Sequence, residues 1–207
     1  MTRLECVREQ IETLRKRFGC LEQHRRRRRS PPRNYAGSAL AAGRSKSLCY
    51  RPDVPVSLKY AVVERERRFL VERIPDGVTR VSQITDRYLE GTRLRLREVV
   101  DGNGTVTRKL GHKVRLTDGP DEVACTSMYL DDAEWGTLIR LPARTLRKTR
   151  HVVARDGVRV AVDRFEDGTL LAEIDDGDRP PVELPGWLDV IRDVSHDERW
   201  TGAQLAH

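Results

Sequence analysis

Glu64-Arg65-Glu66-Arg67-Arg68 places two carboxylates and three guanidinium groups in five residues, and the apolar run Phe69-Leu70-Val71 follows at once. As a strand, this stretch alternates its side chains between faces. Glu64, Glu66 and Arg68 then line one face at a spacing of roughly 7 Å, and Arg65, Arg67 and Phe69 line the other. Carboxylates that close repel unless a positive charge sits between them, and a hard divalent cation with oxygen ligands fills that role. A charge-rich edge strand in water would show the same alternation, so this stretch alone leaves both readings open.

The alternation recurs downstream. In Arg93-Leu94-Arg95-Leu96-Arg97 three guanidinium groups share one face and two leucines the other. An isolated strand of this kind would turn its leucines inward and its arginines to water. Yet Lys148 and Arg150 also share a face, Lys109 sits late in its own strand-like run, and Glu173 with Asp175 forms a second acidic pair two residues apart. Together these fit one arrangement, a barrel lined with Arg and Lys and with carboxylates at one side to hold a metal. Such a lining binds a linear polyphosphate through charge-assisted, often bidentate hydrogen bonds, while Mg2+ or Mn2+ bridges phosphate to carboxylate.

The elements that must position these residues are short. Tyr60 to Arg73 reads as a strand ending at Pro75-Asp76-Gly77, and Val81 to Leu89 as a second. Arg93 to Val100 and Thr105 to Leu110 flank the turn Asp101-Gly102-Asn103-Gly104, and Val123 to Leu130 follows. Asp131 caps a helix reaching about Leu141-Pro142, with Glu134 completing a capping box. Arg147 to Arg155 and Val158 to Phe165 form a hairpin across Asp156-Gly157, and Leu170 to Asp175 follows Asp167-Gly168. The expected fold is α+β, mainly β: a closed or nearly closed antiparallel barrel with a few outer helices.

Before this domain, residues 1–23 carry Leu4, Val7, Ile11, Leu14, Phe18 and Leu21 at alternating spacings of three and four. That pattern predicts an N-terminal helix, which can pair with another helix, as in a homodimer, or lie on the main domain. Residues 24–56, with Arg25 to Arg29 and a run rich in Gly, Ala, Ser and Pro, read as a flexible, disordered basic linker. Charge divides the same way. Residues 1–56 hold 14 Lys/Arg against 5 Asp/Glu, which leaves 25 against 27 for residues 57–207. The main domain is near neutral, so bulk charge gives no reason to expect nucleic acid as a partner outside the basic leader.

Cys6, Cys20, Cys49 and Cys125 show neither metal-ligand spacing nor a disulfide framework, and are read as free thiols in a reducing cytoplasm. No apolar run reaches the roughly 18 residues of a membrane span. His112, His151 and His196 are scattered, and Trp135, Trp187 and Trp200 read as packing residues. No nucleophile elbow or Walker phosphate loop is present, and Cys125 has no identifiable base.

Glu64-x-Glu66-x-Arg68 with Phe69-Leu70-Val71 resembles the E-x-E-x-K opening strand of the CYTH superfamily, the triphosphate tunnel metalloenzymes. The resemblance continues through Asp86-Arg87-Tyr88-Leu89, Leu94-Arg95-Leu96-Arg97, Thr107-Arg108-Lys109, Lys148-Thr149-Arg150, Val162-Asp163 with Phe165, and Leu171-Ala172-Glu173-Ile174-Asp175. It closes on Asp193 to Trp200 and Leu205-Ala206, so that it spans residues 60–207. It implies an eight-stranded antiparallel tunnel, here residues 57–207, that binds a triphosphate unit with Mg2+ or Mn2+. Glu64, Glu66, Glu173 and Asp175 would then be metal ligands, and Arg68, Arg95, Arg97, Lys109, Lys148 and Arg150 would bind phosphate. Glu64, Glu66 and Arg68 would carry the catalysis.

Two departures stand out. Arg68 replaces the usual lysine, and Cys125-Thr126-Ser127 stands where many members carry another Glu-x-Glu. The implied function is a metal-dependent phosphohydrolase cleaving the terminal phosphate of inorganic triphosphate, thiamine triphosphate or a nucleoside triphosphate. The alternatives are an adenylate cyclase of the class IV type and a non-catalytic polyphosphate or nucleotide binder. In each case the expected partner is a triphosphate-containing small molecule.

Overall fold

The computed structural model describes residues 58–177, 179 and 181–207, all within one unit of the chain, Val54–His207. The expected helix at 1–23 and linker at 24–56 lie outside the described residues. The strands are β1 (Val62–Val71), β2 (Val78–Leu89), β3 (Leu94–Asp101), β4 (Val106–Arg115), β5 (Glu122–Tyr129), β6 (Ala143–Arg155), β7 (Val158–Phe165), β8 (Leu170–Asp175) and β9 (Val190–Asp193). Helix α1 (Asp132–Leu138) follows β5, and a 3-10 turn at Glu198–Trp200 leads into α2 (Gly202–Leu205).

The strands hydrogen-bond in the order β5-β4-β3-β2-β6-β7-β8-β1-β9, and β5 also pairs with β1. Eight antiparallel strands therefore close into a barrel, with β9 added beside β1. Closure falls on β1. Val62 to Arg65 pairs with β5, and Glu66 to Leu70 with β8. Beyond β5 the free edge of β1 is satisfied piecewise. Glu66 N–H donates to Asp121 O at 2.9 Å, Arg68 N–H donates to Ser195 Oγ at 3.0 Å, and Phe69 to Val71 pairs with β9. A buried strand needs every backbone group paired. Once both edges are held, the side-chain directions of Glu64, Glu66 and Arg68 are set.

Local sequence accounts for the connections. Asp156 and Gly157 both take positive φ, 53° and 76°, as a two-residue hairpin turn requires, and this fixes the β6–β7 register at Arg155 opposite Val158. The capping box at α1 is present: Glu134 N–H donates to Asp131 Oδ1 at 2.8 Å, and Asp131 N–H donates to Glu134 Oε2 at 3.0 Å. The helix ends at Leu138, short of the expected Leu141-Pro142.

The strand expectations held best where turns were explicit. β7 and β8 span the expected residues, whereas β4 continues five residues past Leu110 to Arg115, and β6 begins at Ala143, four residues before Arg147. β2 begins at Val78 rather than Val81, and β9 was not anticipated.

Cross-strand partners share a face, so the registers divide the wall into two sets. On one face Phe69, Val71, Val160, Val162, Ala172 and Ile174 form a buried cluster with Leu188, and Val182 and Trp187 pack against it. On the other face Lys113 of β4 reaches Glu64 and Glu66 of β1 although β5 lies between those strands. Likewise Arg150 of β6 meets Glu173 of β8 although β7 lies between them. Contacts that skip a strand can form only across the interior, so the charged face is inside. The apolar cluster lies outside, under the chain that carries Val182, Trp187 and Leu188. Each fully buried Val, Leu, Ile or Phe contributes roughly 1.5–3 kcal/mol. The outer layer thus stabilises the wall and leaves the interior to charge.

A charged barrel interior as candidate site

The acidic side of the interior centres on β1. Lys113 Nζ lies 2.6 Å from Glu64 Oε2 and 3.3 Å from Glu66 Oε1. Arg68 donates to Glu66 Oε2 at 2.7 Å and to the carbonyl of Pro120 at 3.1 Å. Glu173, opposite Arg68 in the β1–β8 register, accepts from Arg150. Burial works against charge on Glu66, but Lys113 and Arg68 outweigh it and hold the carboxyl at about 2. Glu173 behaves likewise: burial opposes its charge, and Arg150 and Lys148 pull it well below the usual carboxylate range.

Two further carboxylates, both completely buried, organise the cationic side. Arg97 grips Asp86 with two hydrogen bonds of 2.6 and 2.7 Å, and Arg95 Nε stands 3.5 Å from the same carboxylate. Arg150 makes two bonds of 2.7 Å to Asp163, and Lys148 donates to it at 2.5 Å. The registers dictate both groups, since Asp86 faces Arg97 and Asp163 faces Arg150. Burial opposes the charge on Asp86, but Arg97 and Arg95 overcome it and hold its pKa far below that of a free carboxyl. Beside this group Tyr88 packs so closely on α2 that a Cβ at Gly202 would lie 2.0 Å from its hydroxyl oxygen, so only glycine fits there.

Lys109 differs from the other inward cations. It faces Arg97 on β3 and Tyr129 on β5, and its ammonium lies 4.8 Å from the centroid of the Tyr129 ring. Among the described residues no carboxylate lies within ion-pair distance of it. Tyr129 is 73% exposed, so this pair stands toward an open end of the barrel.

The interior therefore brings together Glu64, Glu66, Arg68, Arg95, Arg97, Lys148, Arg150 and Glu173, whose spacing put them on shared faces, and Lys109, which the resemblance singled out. Arg68 is nearly fully buried, and its guanidinium is engaged with Glu66 and the Pro120 carbonyl. Asp175 sits apart. It faces Glu66 in the register, but its Oδ1 accepts from the backbone N–H groups of Arg65 and Gly177 at 3.1 and 3.0 Å, closing the turn after β8.

Three members were missed: Lys113, Asp86 and Asp163. A usable signal existed for the two aspartates, since pairing across the hairpins puts each opposite a predicted cation. On β5 Cys125 and Ser127 share the inward face, with Sγ and Oγ 3.8 Å apart, so no acid stands there. Of the remaining candidates, His112 and His151 have outward parity and His196 is exposed. Trp187 and Trp200 pack, and Trp135 lies under the Arg108 guanidinium.

Among the described residues no three acidic, His or Cys side chains form a ready metal cluster. The donor chemistry of Glu64 and Glu66 nevertheless suits a hard divalent ion, because both present oxygens to one position, which the Lys113 ammonium holds. Mg2+ commonly binds through one or two carboxylates, with waters and substrate phosphates completing its shell.

Fold and site thus define a closed barrel with an apolar outside layer and a charged inside. No family model matches the chain, and no curated protein does. Among solved structures the chain is similar to a conserved hypothetical protein from Pyrococcus furiosus, at 21% identity and a TM-score of 0.43, over 60% of this chain and 81% of that one. It is also similar to a protein from Pyrococcus horikoshii, at 18% identity and a TM-score of 0.41, over 54% of this chain and 77% of that one. The functional reading rests on the residues themselves.

Proposed function

We propose that the barrel is a triphosphate-binding tunnel in which a divalent-metal-dependent phosphohydrolase acts, cleaving the terminal phosphate of inorganic triphosphate, thiamine triphosphate or a nucleoside triphosphate. The observation that carries this reading is the largely buried inward array of Arg95, Arg97, Lys148 and Arg150, with Lys109 beside it, set against Glu64, Glu66 and Glu173. Buried charge on this scale does not serve stability, because apolar residues of similar volume would do as well or better. It suits a polyanion.

Each group has a distinct task. Asp86 and Asp163 hold the guanidinium groups of Arg97 and Arg150 in place before substrate arrives, so little reorganisation accompanies the build-up of charge during transfer. Lys109, with no carboxylate partner, is free to meet a phosphate oxygen. Glu64 and Glu66, with Glu173 nearby, would hold Mg2+ or Mn2+, which when bound lowers the pKa of water and neutralises phosphate charge. Arg68 orients Glu66 and ties β1 to Pro120. In-line attack by water on the terminal phosphorus needs no covalent intermediate.

A second reading, a binder without turnover, is favoured by one feature: β5 presents Cys125 and Ser127 in place of acids. Phosphate release from inorganic triphosphate with Mg2+ or Mn2+ separates the two, and cyclic AMP formation from ATP in the same panel tests cyclisation. Hydrolysis is expected, and Glu64→Gln is expected to abolish it with little change in thermal midpoint. Full activity in Glu64→Gln removes β1 from the site, while triphosphate binding with no product leaves the binder.

A further inference from the structure

We infer that Lys113 is the resident counter-cation of the Glu64–Glu66 pair, and that a divalent ion enters this pair only by displacing its ammonium. The inference rests on the proposed reading of the interior as a metal-assisted triphosphate site.

Position is the first ground. One ammonium stands 2.6 Å from Glu64 and 3.3 Å from Glu66, on carboxylates two residues apart on one strand face. A divalent ion bridging the pair would need those oxygens at roughly 2.0–2.6 Å, so the two cations exclude each other. The empty pair also needs this lysine. Arg68 covers Glu66 alone, and a buried carboxylate without a cation is strongly destabilising.

Local sequence explains how a β4 residue comes to serve β1. Lys113 faces Cys125 on the intervening strand. An acid at that position would be the nearest anion to Lys113, whereas the short thiol lets the lysine stem pass over β5 to the next strand. The thiol on β5 and the reach of Lys113 to β1 are therefore linked through the β4–β5 register.

Side-chain type decides which cation yields. Arg68 is anchored by Glu66 and the Pro120 carbonyl, and Arg150 by Asp163 and Glu173. Lys113 has a flexible stem, and its ammonium is paired with the two glutamates. Released, its ammonium remains on the inward face two residues from Gly111, over which the Arg95 guanidinium lies, and can meet a phosphate oxygen there. Metal and triphosphate then favour each other's binding, since metal frees the ammonium and phosphate accepts it.

Mn2+ binding followed by the electron paramagnetic resonance signal of the free ion tests this without turnover. In the full chain Lys113→Met is expected to bind Mn2+ at least tenfold more tightly than the wild type, Lys113→Arg no more tightly than the wild type, and inorganic triphosphate to tighten Mn2+ binding in the wild type more than in Lys113→Met. Equal or weaker binding by Lys113→Met overturns the inference. Glu64→Gln separates this failure from failure of the metal reading. If Glu64→Gln leaves Mn2+ binding intact in both backgrounds, or if no background binds Mn2+, the metal reading falls and this inference with it. Should Lys113→Met not fold alone, Mn2+ is expected to restore its folding as a replacement cation, and failure to do so also overturns the inference.

Discussion

Val162 and Asp163 are neighbours on β7 and both are completely buried, yet they lie on opposite sides of the barrel wall. Val162 joins Phe69 and Ile174 in the outer apolar cluster, while Asp163 sits between Lys148 and Arg150 inside. Outside, burial is favourable by itself. Inside, each deeply buried charge is tolerable only because an opposite charge meets it, and the paired assembly stabilises the fold little compared with apolar packing. A barrel that keeps its apolar core outside has its interior free for a charged ligand.

The largest expected effect comes from breaking the inner order. Asp163→Ala leaves Lys148 and Arg150 without their shared carboxylate and should cost about 3–5 kcal/mol in urea unfolding. Val162→Ala, one residue away, removes two buried carbon groups and should cost about 2 kcal/mol. If both changes cost the same small amount, the inner charges are solvated and the two faces do not differ as described.

Replacing a whole inner group sharpens the contrast. Arg97→Ala removes both hydrogen bonds that grip Asp86, leaves it only Arg95 at 3.5 Å and should destabilise by about 3–5 kcal/mol, whereas the triple change Asp86→Leu, Arg95→Met, Arg97→Met should recover most or all of that loss. The triple variant is expected to be stable and unable to bind triphosphate. A triple variant less stable than Arg97→Ala would show that the charges hold the barrel together.

Acid should act on the inside first. Glu66, Glu173 and Asp86 are held below their ordinary values by neighbouring cations that outweigh burial. A depressed folded pKa adds stability that is fully present above the unfolded value of about 4 and is lost as pH falls toward the folded one. The thermal midpoint should therefore fall steadily between about pH 4 and pH 2. A midpoint flat across that range contradicts the inner pairing.

The smallest effect is expected outside the site. Arg65, with outward parity, bonds to Glu122 and to the Gly177 carbonyl at a half-exposed position. Arg65→Ala should shift stability by no more than about 1 kcal/mol and leave triphosphate affinity unchanged. A loss of affinity matching that of an inward cation would mean the faces are reversed.

Period-two spacing made much of this legible before the fold was known. Glu64 with Glu66, Arg95 with Arg97, and Lys148 with Arg150 share the inward face as their parity required. Parity says which way a side chain leaves the backbone, not what it meets. Asp175 has the right parity, yet the turn after β8 claims its carboxylate. Lys113 lies beyond the expected strand, which ends at Leu110, whereas β4 runs on to Arg115. Asp86 and Asp163 stand singly, so period-two acidic pairing does not single them out. Their importance comes from pairing across strands, which is a property of register. β9 is four residues with no alternation of its own, held in place by the free edge of β1.

The central claim is that the interior takes a triphosphate, and Lys109 probes it most directly because no inner carboxylate depends on it. Charge-assisted hydrogen bonds to phosphate in a confined site are worth roughly 1.5–3 kcal/mol each, about tenfold or more in affinity. Calorimetric titration of inorganic triphosphate at fixed salt should show binding to the wild type and at least tenfold weaker binding to Lys109→Ala, with the thermal midpoint unchanged. Absence of binding to the wild type, or equal affinity in the two proteins, would contradict the account.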